Sequence, residues 1–240
     1  MLYLIGLGLN EKGITLEGKE AIKKCDKIYL EGYTVDFPYS IPKLEGFIDK
    51  KIVKLGRGDV ESNKLVNESK KHNVALLVYG CPLFATTHIS LLMDMEKAEI
   101  KTKIIYSASV FDAVAESGLQ LYKFGKISSM PRWQKNFEPD SFLEFVSQNK
   151  SIGAHSLILI DIGLDFDSAL DQLEKALESR NIKINKLFVC SSIGTSKSKM
   201  IYGKIEDLRI KGGKIDLPYC FIIPGEMHFL EKDAIEKFSI

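Results

Sequence analysis

Residues 74–82 read Val-Ala-Leu-Leu-Val-Tyr-Gly-Cys-Pro. An apolar run of this length with no polar alternation is the pattern of a strand buried on both faces, as in a parallel sheet covered by helices. Gly80 ends it, and Pro82 steers Cys81 away from helical angles. The next periodic stretch is expected to be a helix over 88–98, capped by Thr86 or Thr87.

Outward from this run the same rhythm recurs. Leu2–Leu9, Lys27–Leu30, Lys51–Lys54 and Lys103–Tyr106 read as strands. Helices are expected from Thr15 to Lys24, from Asp59 to His72 and from Val110 to Gly118, the last opened by a capping-box spacing between Ser109 and Asp112. Strands alternating with helices favour a largely parallel sheet. The stretch 126–141, with Pro131, Pro139 and the single Trp133, breaks the rhythm and reads as a loop or crossover. Beyond it, strands are expected at 156–162, 187–190, 199–204 and 219–223. A helix over 166–177 carries apolar residues at 3.6-residue spacing, and a short one follows from Glu231 to Phe238. The expectation is two α/β domains, 1–110 and 111–240.

Composition bounds the function. In 240 residues, 45% hydrophobic content is enough for a core, and a net charge of +1 makes no global case for a nucleic-acid or acidic-membrane partner. No apolar run reaches the roughly 18 residues of a membrane span. Cys25, Cys81, Cys190 and Cys220 form no CxxC pair, which suits a reduced, cytoplasmic protein. His72, His88, His155 and His228 have no metal-ligand spacing.

The candidate chemistry gathers at strand ends, where ligands of open α/β sheets bind. Gly6-Leu7-Gly8-Leu9 permits close backbone approach, yet it fits a dinucleotide fingerprint poorly and a tight turn equally well. Gly80-Cys81-Pro82-Leu83 reads as a ligand-lining loop or a plain turn; a nucleophilic Cys81 needs a base or positive charge beside it. Ser107-Ala108-Ser109 is a helix cap or a polar pocket wall, and Asp161 is a strand-end cap or a pocket carboxylate. Tyr33-Thr34 is equally open. His228 reads as a surface or satisfied histidine. Lys123, Lys126 and Arg132 read as a solvated face or an anion-facing cluster.

The combination is more specific than its parts. IGLGL at 5–9 resembles the N-terminal motif of the tetrapyrrole (corrin) methylase superfamily, and within it the chain is similar to the diphthine synthase family. The resembling pieces are ITLEG at 14–18, EGYT at 31–34, GCPLFATTH at 80–88 and SASVFDAVAESGLQLYKFGK at 107–126. They continue with NFEPDSF at 136–142, HSLILIDI at 155–162, YGKIEDL at 202–208 and IIPGEMHFLE at 222–231.

This resemblance implies a two-domain tetrapyrrole-methylase-like α/β fold, with a largely parallel N-terminal sheet and a mixed C-terminal sheet. It implies a homodimer with S-adenosylmethionine in the cleft between domains and S-adenosylhomocysteine as product. The implied reaction is methylation of the amino group of a 3-amino-3-carboxypropyl chain on a histidine of translation elongation factor 2, in diphthamide biosynthesis. Archaeal-type members add three methyls, and eukaryotic-type members also methylate the carboxylate. Carried over by motif, the cofactor residues are Leu9, Cys81, Phe84, Ser109, Val110, Ile160, Ile193 and Tyr219. Three positions depart from the family pattern. Cys81 stands where the family has aspartate, Ser191-Ser192 where it has alanine-arginine, and Tyr219 where archaeal relatives often have histidine.

Methyl transfer from a sulfonium needs a deprotonated amine placed in line, with Asp161 and His88 as candidate bases and no metal. A protein acceptor needs a docking surface, for which loop 127–141 and its basic neighbours are the candidate. The rival readings are a tetrapyrrole or corrin precursor methyltransferase, a ribosomal RNA methyltransferase, and an inactive cofactor-binding relative.

Overall fold

In the computed structural model, which describes residues 1–240, the chain divides into two compact units, Met1–Val110 and Phe111–Ile240. The first holds five strands: β1 (Leu2–Gly6), β2 (Lys27–Glu31), β3 (Val53–Leu55), β4 (Val74–Val78) and β5 (Thr102–Ile105). Every pairing is parallel, in the order β3-β2-β4-β1-β5. The helices are α1 (Leu16–Lys23), α2 (Ile41–Ile48), α3 (Arg57–Val60), α4 (Lys64–Ser69) and α5 (His88–Lys97).

The unbroken apolar run of β4 has a direct cause. Ala75 and Leu77 enter one core with Ile5, Leu30 and residues of α1 and α2, whereas Val74, Leu76 and Val78 enter a second with Leu2, Leu4, Leu65, Leu91 and Met95. Both faces of the strand are covered, so alternation has no solvent side to mark. Burying each such aliphatic side chain is worth about 1.5–3 kcal/mol.

α6 (Val110–Ala113) continues as a 3₁₀ turn over Val114–Ser117 and stops at Gly118, whose φ of 88° an L side chain disfavours. The second unit then builds a mixed sheet from β6 (Ser128–Met130), β7 (Ser156–Ile160), β8 (Leu187–Ser191), β9 (Lys199–Gly203) and β10 (Tyr219–Ile223). Its order is β6-β7-β10-β8-β9; only β6 and β7 run parallel. Helices α7 (Phe142–Ser151), α8 (Phe166–Ser179), α9 (Ile205–Lys211) and α10 (Phe229–Glu236) complete it. α8 buries Ala169, Leu170, Leu173, Ala176 and Leu177, the stripe visible in the sequence, and Asp165 caps it by accepting from Ser168 N at 2.9 Å.

Several expectations need correction. β1 ends at Gly6 because Gly8 turns the chain with φ 67°. The helix expected over Asp59–His72 is two, α3 and α4. β3 lies at Val53–Leu55 rather than 51–54. β7 stops at Ile160, leaving Asp161 and Ile162 outside the strand. The 126–141 loop contains β6, and α2, α7 and α9 are helices that the reading did not anticipate. α10 begins at Phe229, two residues before Glu231.

Candidate functional site

Three loops leave the carboxyl edge of the parallel sheet; main chain stitches the first two together, and the Ser107 side chain joins the third. Leu7 N donates to Val78 O at 2.8 Å, and Gly8 and Gly80 exchange N–H···O bonds of 3.2 and 2.9 Å. Leu9 and Cys81 therefore flank one antiparallel bridge. Gly6 lies where the loops converge. A Cβ there would meet Gly80 O at 2.6 Å and Ser107 N at 3.0 Å, so this close approach excludes any side chain. Ser107 Oγ donates to Gly13 O at 2.9 Å, and Tyr79 Oη donates to Leu9 O at 3.1 Å. Burial pushes the Tyr79 phenol well above its ordinary range, which keeps it a donor. A Cβ on Gly80 would lie 3.7 Å from Ser109 Cα, which brings Ser109 beside the β4 loop.

Cys81 is half-buried, and its carbonyl accepts from Phe84 N at 3.2 Å. The loop is closed on Pro82 O, which receives Thr86 Oγ1 at 3.1 Å and faces His88 Nδ1 at 3.0 Å. A carbonyl only accepts, so His88 Nδ1 carries a proton toward it, while the buried Nε2 has no hydrogen-bond partner. Thr87 occupies the cap position of α5 but makes no capping bond. His88 thus braces the 82–88 loop from within.

The EGYT stretch also acts locally. Buried Glu31 accepts from Tyr33 N at 2.8 Å and Thr34 Oγ1 at 2.5 Å, shaping the turn after β2.

In the second unit, Ile160, Ile193 and Tyr219 share one end of the mixed sheet, because β10 runs antiparallel to both β7 and β8. Ile193 and Tyr219 are buried, and Ile160 packs on the core. Tyr219 Oη donates to Leu164 O at 2.9 Å, and its ring meets Phe166 edge-on at 5.8 Å. Ser191 Oγ donates to Asp216 O at 2.6 Å and Ser192 Oγ to Leu217 O at 3.2 Å. Both serines serve the loop before β10. Asp161 is exposed; its carboxylate accepts from Arg132 N at 2.9 Å and Ile162 N at 2.8 Å, the strand-end cap of the two readings.

The sequence reading missed a buried polar cluster in the same unit. Glu231 Oε1 accepts from Gln120 N and His155 Nε2, both at 2.9 Å; Oε2 accepts from Lys123 Nζ at 2.6 Å and His228 N at 2.8 Å. His155 Nδ1 accepts from Gly225 N at 2.9 Å, so its proton sits on Nε2. Burial pushes the His155 imidazole below its ordinary 6.5, against the pull of Glu231. Burial also pulls the Glu231 carboxyl upward, but the Gln120 N–H, Lys123, His155 and the His228 N–H outweigh it and hold the group at about 2. The usable signal was the His228-x-x-Glu231 spacing, a capping box with histidine in the cap position. His228 is therefore a satisfied helix cap. Lys123, Lys126 and Arg132 turn to separate partners: Glu231, Gln148 and the Gly163 carbonyl.

No group of three or more His, Cys, Asp or Glu side chains converges as metal ligands would, and no helix is long and apolar enough to cross a membrane. The carboxyl-edge loops present main-chain groups at the end of the parallel sheet where ligands of open α/β sheets bind.

Comparison with known proteins agrees with this architecture. The family model for Tetrapyrrole (Corrin/Porphyrin) Methylases matches residues 1–209. The diphthine synthase of Methanocaldococcus jannaschii is 39% identical, with 98% of each chain covered. The diphthine methyl ester synthase of Dictyostelium discoideum is 36% identical, covering 100% of this chain and 98% of its own. A diphthine synthase crystal structure superposes with a TM-score of 0.89 at 29% identity, over 99% of this chain and 95% of that one. A structure from Entamoeba histolytica provisionally given the same name has a TM-score of 0.89 at 32% identity, over 100% and 98%. The chain belongs to the diphthine synthase family of the tetrapyrrole methylases, S-adenosylmethionine-dependent methyltransferases of diphthamide biosynthesis.

Proposed function

We propose that this protein methylates the amino group of the 3-amino-3-carboxypropyl-histidine of translation elongation factor 2, with S-adenosylmethionine as donor and S-adenosylhomocysteine as product. The observation that carries this reading is the end-to-end likeness, at 39% identity over 98% of both chains, to a diphthine synthase. A homodimer is part of the same reading.

Leu9, Cys81, Phe84, Ser109 and Val110 of the first unit hold the cofactor, and Ile160, Ile193 and Tyr219 of the second are further cofactor residues. S-adenosylmethionine, when bound, supplies an electrophilic methyl on a positively charged sulfur. The glycine-pinned loops let a ligand lie against main chain. A dry site favours the neutral form of an amine, which alone has the lone pair that attacks. Cys81 contributes loop backbone in the place of an aspartate, with its thiol a bystander. Asp161 already accepts two main-chain N–H groups, and His88 is enclosed beneath its loop, so neither is assigned as base.

The test is a mass spectrum of elongation factor 2 bearing the aminocarboxypropyl histidine, after incubation with this protein and S-adenosylmethionine. Methyl-sized steps confined to that histidine are expected, three for amine methylation alone and a fourth if the carboxylate is esterified. No mass change, with cofactor binding confirmed by calorimetry, overturns the reading.

A further inference from the structure

Two adjoining cavities of about 600 and 460 Å³ open on the second unit. They share Ile184, Asn185, Lys186, Tyr202 and Met227 and so form one groove. Its walls include Ser156 at the amino end of β7 and Ile223 at the carboxyl end of β10. That places it at the opposite end of the mixed sheet from Ile160, Ile193 and Tyr219, roughly 13 Å away along five-residue strands.

The groove concentrates charge that the rest of the chain neutralises. Lys150, Lys183, Lys186, Lys204 and Lys232 line it, against only Glu226 and Glu236. The whole chain carries just +1. Some lysines elsewhere hold carboxylates, as Lys123 holds Glu231, Lys211 holds Asp207 and Lys214 holds Asp216. None of the five groove lysines forms a direct ion pair, although the Asp207 carboxylate lies close enough to feel Lys204 and Lys186. Lys150 Nζ reaches only the Lys183 carbonyl at 2.8 Å, and Lys186 lies 5.1 Å over the Tyr202 ring. By contrast, Lys123 and Arg132, beside the 127–141 loop, are engaged within the unit.

We propose that this groove docks an acidic, extended segment of the protein that carries the acceptor amine, which deepens the functional reading above and rests on it. Its carboxylates would meet the lysine rim while one apolar side chain sits over Ile184 and Met227. A long-range positive field steers such a partner and fixes its register. A nucleic acid fits less well. The Tyr202 ring is stacked on Phe188 at 4.7 Å and covered by Lys186, so no free aromatic platform is offered to a base. A small substrate has no use for a site one strand length from the transfer end, whereas a folded protein substrate does.

The test compares the wild type with the triple variant K183E/K204E/K232E, three exposed rim positions, and with K183R/K204R/K232R, which keeps the charge. Each is titrated with a fluorescein-labelled peptide of alternating Glu and Asp around one Leu, and assayed for methylation of modified elongation factor 2. The charge-reversed variant is expected to lose peptide affinity by at least about 10-fold and to raise KM for the protein substrate about 10-fold. Its kcat and S-adenosylmethionine affinity should stay within about twofold, and the arginine variant should match the wild type. Unchanged peptide affinity or unchanged KM overturns the proposal. So does a single-stranded RNA that displaces the peptide, or a dimer that sediments as monomer only when charge-reversed. A wild type that transfers no methyl refutes the functional reading alone, and the peptide titration then decides the groove.

Discussion

At the carboxyl edge of the parallel sheet, Gly8 and Gly80 exchange main-chain bonds, and Gly6 lies where a Cβ would strike Gly80 O. Beneath α10, a single carboxylate, Glu231, holds two backbone N–H groups, a histidine and a lysine in a fully buried position. The first region depends above all on the absence of side chains at its glycines; the second depends on one side chain. Substitution should therefore act differently in the two. The glycine edge should accept changes in neighbouring side-chain chemistry and reject a methyl group, while the glutamate cluster should accept neither loss of charge nor loss of shape.

The largest effect should come from Glu231→Leu. It leaves Gln120 N, His228 N, His155 and Lys123 without their acceptor, and breaking a buried ion pair from one side costs about 3–5 kcal/mol. Urea denaturation read by circular dichroism measures it. A loss below about 1 kcal/mol would mean that the cluster is not what anchors α10. Next is Gly6→Ala. Its Cβ would stand 2.6 Å from Gly80 O, a main-chain atom that cannot step aside without moving the β4 loop. Overpacking of this kind costs about 1–3 kcal/mol. Calorimetric S-adenosylmethionine affinity should fall with stability, because the displaced loop is the proposed cofactor wall. Unchanged affinity in a folded Gly6→Ala protein would separate the loop from the cofactor.

The contrast also explains what the sequence disclosed. VALLV and the glycines after it were legible because two-sided burial erases alternation and a turn with φ of 67° or 70° needs glycine. The α8 stripe was legible because one face alone is buried. α7 was missed although Phe142, Val146 and Asn149 keep helical spacing, since the prolines before it drew attention to a loop. α2 was missed because Pro42, which suits the first turn of a helix, reads equally well as a breaker. β6 is three residues, Ser-Ser-Met, whose strand state is decided by pairing with β7, a long-range fact absent from local pattern. The site divides in the same way. Strand-end loops are marked by glycine, but Glu231, His155 and Lys123 are separated by tens of residues and meet only after folding.

Acid should expose the second region before the first. His155 titrates below its ordinary 6.5 in the folded state because burial favours the neutral ring, which must accept from Gly225 N. The unfolded chain therefore binds more protons as pH falls through 6.5, and stability falls with it. Glu231, held at about 2 against an ordinary 4.5, adds a second loss between about pH 4.5 and 2. Each group contributes a slope no steeper than about 1.4 kcal/mol per pH unit. Denaturation midpoints from pH 8 to pH 4 should decline in the wild type and decline less in His155→Gln. Parallel curves would place the acid sensitivity elsewhere.

The smallest effect is expected where chemistry would first look for the largest. Cys81 is half-buried, and the hydrogen bond recorded for it comes from its carbonyl, to Phe84 N at 3.2 Å. Pro82 fixes its backbone from the next position, and His88 and Thr86 fix Pro82. Nothing in that arrangement needs sulfur. Cys81→Ser should leave methyl transfer within about threefold, a change of about 0.6 kcal/mol. Cys81→Asp places a carboxylate in the loop and should tighten S-adenosylmethionine binding by less than about 10-fold, since an exposed or half-exposed polar contact contributes about 1 kcal/mol. A gain beyond that would mean that a carboxylate at this position, rather than the loop backbone, is the stronger grip on the cofactor. A collapse of activity in Cys81→Ser would bring the thiol into the chemistry and make the two regions alike in depending on one side chain.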